Sequence, residues 1–211
     1  MDGVHPSQPS LHSFAPLILP CEQQTEKYVP FWLLSQRHVW ALVSLELHAD
    51  FIPRPRTRSA VAELLVNRSV VVAEAYLNPA AHEPVDIQRW LVAEDFDHEM
   101  RLPAQEGFEP FVLGAKSVLP DYDERFRGYG WDKTAHAQHL RADNFVYSLL
   151  PVHFAVARYH QPTPTAVRIF GDEPDTLLRT RMEWLYSQVS AEIENGGYSP
   201  ATSSTTSRKR P

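Results

Sequence analysis

Cysteine is nearly absent: Cys21 is the single one in 211 residues. No internal disulfide can form, and no cysteine-built zinc site is available. Long apolar runs are missing as well. No stretch approaches the roughly 18 apolar residues that read as a membrane-spanning helix. Met1 to Pro20 hold prolines, histidine and serine, with neither a basic start nor a clean apolar stretch, so they do not read as a secretory leader. Positive charge is in deficit, with a formal net charge of -6. That argues against a general nucleic-acid binder, whose footprint is basic. No internal repeat is present. What remains is a chain read as soluble, with a 43% apolar share, long enough for one domain with a sizeable core.

Along the chain, residues 1–27 are polar and proline-rich and read as irregular. From Tyr28, Phe31, Leu34, His38, Ala41 and Leu42 recur at near-helical spacing, and Val43, Leu45 and Leu47 then alternate as in a strand. Pro53 and Pro55 end regular structure. Thr57 to Val66 predicts a helix capped by Thr57 or Ser59, with Val61, Leu64 and Leu65 as its apolar stripe. Asn67-Arg68-Ser69 fits a glycosylation sequon, which matters only in a secreted chain. Val70-Val71-Val72 reads as a buried strand. A short helix carrying Trp90 follows over Asp86 to Leu91, then an acidic irregular segment to Glu106. Phe145 to Leu150 is a further strand. Asp175 caps a final helix whose apolar face is Leu178, Met182, Leu185, Val189 and Ile193, and Gly196-Gly197 ends it. Residues 196–211 are expected to be a disordered tail, finishing Arg208-Lys209-Arg210. Strands alternating with helices predict an α/β fold.

Candidate chemistry concentrates between Phe108 and His136. Phe108 to Leu113, closed by Gly114, predicts a buried strand. A charged loop then carries Asp123, Glu124 and Arg125, followed by Gly128-Tyr129-Gly130 and a helix start at Asp132. Both glycines permit φ > 0 or a close approach to the backbone, and Asp132 stands where an N-cap would. Strand-to-helix loops are where α/β folds place binding and catalytic groups. Asp123 and Arg125 either pair across the loop or point to a ligand. Trp131 and Tyr129 either stack on a ligand or belong to the core. Asp132 is either a base or a cap.

These residues resemble glycosyltransferase family 49, the group with LARGE-type glucuronyltransferase domains. The landmarks, in order, are His82-Glu83-Pro84 with downstream Trp90, Phe108-Glu109-Pro110-Phe111, the run Tyr122 to Lys133, and Leu150-Pro151 through His160-Gln161-Pro162-Thr163. The resemblance covers roughly Leu45 to Ile193. It implies a GT-A-like mixed sheet flanked by helices over residues 28–195. It also implies transfer of a sugar such as glucuronic acid from a UDP-sugar to a glycan acceptor, with inversion and a manganese ion, in the Golgi. No nucleic acid or membrane span is expected in this chain. Within that reading, Asp132, beside the Gly-rich turn at a helix start, and Asp123 are the candidate catalytic carboxylates, although relatives often carry Asn at the position of Asp132. Glu109, Arg125, Tyr129, Gly130 and Trp131 are substrate-binding, and His48, Asp50 and His160 hold the metal.

Two departures accompany it. The family's Asp-x-Asp appears as His48-Ala49-Asp50, so one hard carboxylate ligand has become an imidazole, and Ala157 stands where the family has a further histidine. Only about forty residues precede that triplet, so the chain is expected to be the acceptor-side part of the fold without most of its donor-side part. Three readings follow: an active glycosyltransferase, a non-catalytic relative that binds glycan or protein, and an interaction domain with nuclear access through its basic tail.

Overall fold

A computed structural model describes residues 37–49, 51–73, 78–93, 100–127 and 130–202. Among them a five-stranded mixed sheet is organised on β1, His38–Leu47. β1 is ten residues long and buried along nearly all its length, because it has strands on both sides. β5, Val146–Ala157, runs parallel to it on one side, and β3, Met100–Leu102, pairs antiparallel with the far edge of β5. On the other side, β4, Phe111–Leu113, pairs with Trp40 to Leu42, and β2, Val70–Val72, pairs with Leu45 to Leu47. A central strand buried on both faces needs a continuous apolar run rather than alternation. This explains why the helical spacing at His38, Ala41 and Leu42 misleads: those residues are strand. Phe31 and Leu34, along with the irregular segment 1–27, lie outside the described residues.

The helices are α1 (Arg58–Val66), α2 (Ile87–Val92), α3 (Asp132–Ala142), α4 (Pro164–Phe170) and α5 (Thr176–Glu194). Side-chain oxygens cap α1, α2, α4 and α5: Thr57, Asp86, Thr163 and Asp175 each accept an N–H from the first turn. On one face of the sheet Val43, Leu45 and Leu47 pack with Val61 of α1 and Trp90 of α2. Val39 and Ala41 pack on Leu140 of α3 with Phe108, Phe145 and Tyr147. On the other face Trp40 and Leu42 meet Leu150, Phe111 and Leu113. α5 lies on α3 through Ala135, Val189 and Ile193.

Several boundaries differ from the sequence expectation. β3 interrupts the segment expected to be irregular before Glu106, and β4 begins only at Phe111. β5 runs on past Leu150 through Pro151, which has no N–H for a ladder. The register shows how it is accommodated: Ala41 faces Leu149 whereas Val43 faces Phe154, so Leu150 to His153 form a bulge. Past the final helix, Tyr198 packs against the body and the Ala201 carbonyl accepts the Glu124 N–H at 2.8 Å. Residues 196–202, expected to open a disordered tail, are thus placed against the body, and residues from 203 on lie outside the described ones.

Candidate active site

β1 and β5 run parallel, with Glu46 paired to Ala157. His48 follows two residues after Glu46 and His160 three after Ala157, so both histidines leave the sheet at the same carboxyl edge. That edge is the usual ligand-binding side of such sheets. Both are exposed. His160 Nδ1 lies 3.1 Å from the Gln161 carbonyl, which accepts from it. Asp50, the third expected metal ligand, lies outside the described residues. Among the described residues no group of three or more His, Cys, Asp or Glu side chains is gathered for a metal. Two imidazoles with one carboxylate fit manganese as a donor set, at lower negative charge than two carboxylates.

The Phe108–His136 region is assembled from β4, the following loop and α3. Glu109 is buried at the entry to β4; its Oε1 accepts the Thr134 hydroxyl at 2.7 Å and lies 3.5 Å from Asn78 Nδ2. Its N–H donates to the Ala81 carbonyl at 2.9 Å. This acid therefore ties the strand to the first turn of α3. Beside it, Lys133 Nζ sits 4.9 Å from the Phe111 ring centroid.

Asp123 and Arg125 pair, settling one of the alternatives the sequence leaves open. Asp123 Oδ1 accepts the Arg125 N–H at 2.9 Å and Nε at 3.1 Å. Its Oδ2 accepts Arg125 Nη2 at 2.7 Å and the Tyr198 hydroxyl at 3.1 Å. The same guanidinium donates to Glu192 on α5 at 3.2 and 2.9 Å. Burial alone would push the Asp123 carboxyl up, but the Arg125 and Tyr198 hydrogen bonds outweigh it and hold it below the usual carboxylate range. With its side chain only 1% exposed, Asp123 turns its lone pairs inward to Arg125 and Tyr198.

Asp132 differs in every respect. It is exposed and opens α3 as its first residue; the N-cap is Trp131, not Asp132. Trp131 has φ 61° and ψ -15°, the left-handed region that a bulky side chain rarely enters. Gly130 precedes it at φ 94°. Such strain persists only where surrounding contacts impose it, and it clusters at functional sites. Trp131 packs on Phe170 of α4, ring centroids 5.4 Å apart. One turn into α3, Tyr122 stacks on His136 at 4.1 Å and 7° between planes. Burial pushes the His136 imidazole below its ordinary range. Gly128 and Tyr129 lie outside the described residues. Phe170 was not legible in the sequence as a site residue; its only signal there is an aromatic immediately before a glycine.

A mixed sheet flanked by helices defines an α/β domain of the GT-A-like kind. The family model described as "Glycosyl-transferase for dystroglycan", family 49, matches residues 6–165. The chain belongs to that family. It is 24% identical over 143 residues, 64% of its length, to the Glycosyltransferase-like protein LARGE of Caenorhabditis elegans. To Xylosyl- and glucuronyltransferase LARGE2s of Gallus gallus it is 29% identical over 109 residues, 52% of its length. To Glycosyltransferase-like protein gnt13 of Dictyostelium discoideum it is 24% identical over 162 residues, 76% of its length. The chain spans 22%, 14% and 24% of those relatives' own lengths. No helix among the described residues is long and apolar enough to cross a membrane.

Proposed function

We propose that this chain carries the acceptor side of an inverting glycosyl transfer, moving a sugar such as glucuronic acid from a UDP-sugar to a glycan in the Golgi. The observation that carries the reading is the junction Gly130-Trp131-Asp132, where an exposed carboxylate follows directly on a left-handed tryptophan inside the segment matched by the family. Asp132 takes the proton from the acceptor hydroxyl as its oxygen attacks the anomeric carbon and the bond to UDP breaks. Glu109 holds the strand against α3 through Thr134, so the base and the sheet edge keep a fixed separation. Asp123 and Arg125 serve as positioning residues that fix the loop on which Gly130 and Trp131 stand. Tyr129 belongs to the acceptor side by family resemblance.

A manganese ion would be held by His48, Asp50 and His160 and would neutralise the departing diphosphate. A glycan-binding relative without transfer activity is the second reading, favoured by His48 and Ala157 in place of family ligands. Calorimetry with UDP and UDP-glucuronic acid, with and without manganese, separates the two. Manganese-dependent binding supports transfer, and its absence leaves the binding reading. In an active preparation Asp132→Asn should lower kcat by about 100-fold or more while the acceptor KM changes little. An unchanged kcat would remove Asp132 as the base.

A further inference from the structure

The sharpest unexplained feature near the site is a pair of aromatic rings from two helices. Phe170 is the last residue of α4 and is 46% exposed, though its neighbour Ile169 is fully buried. Val167, three residues earlier, is 50% exposed. The helix thus turns an apolar patch outward while anchoring itself by Ile169. The Phe170 ring lies across the backbone of Gly130, where an added Cβ would stand 3.2 and 3.3 Å from ring carbons. It also meets the half-buried Trp131 at a 35° tilt. The left-handed Trp131 is strained, and the effect of that strain is to bring an indole beside this ring and directly before the exposed Asp132.

We propose that Trp131 and Phe170 form a platform for one pyranose ring of the acceptor, a deepening that rests on the glycan-acceptor reading above. A pyranose presents a flat face of C–H bonds with partial positive charge, which pack on the electron-rich faces of aromatic rings. Its hydroxyls then project at the rim, where Asp132 can accept from one of them. Phe170 is therefore an acceptor-binding residue contributed by an element outside the Tyr122–Lys133 run.

Methyl β-xyloside and methyl β-glucuronide test this, as sugars of the two kinds that the Gallus gallus relative's name says it transfers. Titration of the full chain is followed by the Trp131 indole N–H resonance, using Phe170→Leu and Phe170→Ala beside the wild type. Leucine keeps an apolar side chain against Gly130 and Trp131 but has no π face. We expect xyloside to shift the Trp131 signal, and Phe170→Leu to weaken its binding about 10-fold with Tm and UDP affinity unchanged. Xyloside binding unaltered in Phe170→Leu, no shift at Trp131, or no wild-type binding of either glycoside would overturn the platform. Loss of UDP binding with xyloside binding intact would instead sink the transfer reading and leave the platform standing.

Discussion

Among single residues, Asp123 and Asp132 show how two carboxylates on one loop take opposite roles. The buried Asp123 is balanced by Arg125, and removing that partner leaves a charge uncompensated. Arg125→Ala should therefore cost about 2–4 kcal/mol in chemical denaturation, whereas Tyr198→Phe, losing one hydrogen bond to the same carboxylate, should cost about 1–2 kcal/mol. Equal effects would mean that the network is not centred on the guanidinium. The same residues set the pH response. Asp123 titrates below its unfolded value, so its contribution is present above the ordinary carboxylate range and lost as pH falls through the lower folded value. His136, held neutral by burial, titrates below its ordinary value of 6.5; the unfolded chain binds its proton first, so stability starts to fall as pH drops through about 6.5. Thermal melts from pH 8 to pH 3 should show decline in two stages, and His136→Gln should reduce the first, to which His139 and His153, also lowered by burial, contribute. The sequence signalled the acidic character of this loop but not which acid is buried, because that depends on Tyr198 and Glu192, more than sixty residues away.

Among elements, the junction of α3 with its loop depends on Gly130. Any side chain there combines a positive φ with contact on the Phe170 ring, so Gly130→Ala should cost about 1–2 kcal/mol and displace Phe170. A near-UV spectrum matching wild type would contradict that. The helices with side-chain caps at Thr57, Asp86 and Asp175 were legible, because a cap followed by an apolar stripe is a local signal. α4 was not: its cap Thr163 reads as the end of the His160–Thr163 turn, and its seven residues, like the six of α2, are too few for a 3.6-residue period to show unaided. β1 misled for a different reason, since burial on both faces erases alternation. The continuation of β5 was hidden by Pro151, which reads as a stop until the bulge that absorbs it is seen.

For the whole molecule, the sheet is held by pairings between distant segments. β1 and β5 are the closest-associated strands although about a hundred residues separate them. The acidic loop is locked in turn by α5 and by the segment carrying Tyr198 and Ala201. Deleting residues from Gly197 onward removes Tyr198 from Asp123 and from its edge contact with the His139 ring at 4.7 Å. That deletion should raise proteolytic cleavage within Asp121–Arg127 at native pH while leaving β1 and β5 protected from hydrogen exchange. Uniform loss of protection would show that the segment supports the whole fold rather than the loop.

The Asp123 contact to Tyr198 spans 75 positions, and this has a meaning for how the chain is made. A ribosome delivers Asp123 and Arg125 long before Glu192 and Tyr198 have been synthesised. During that interval the guanidinium and carboxylate have only each other and water. β1, the first strand of the sheet among the described residues, likewise waits for β5 before its parallel edge is covered. A nascent chain at this stage exposes strand edges and apolar surface, the state on which chaperones act. The Asp123–Arg125 pair thus gains its Glu192 and Tyr198 partners only once α5 and the residues after it have been made.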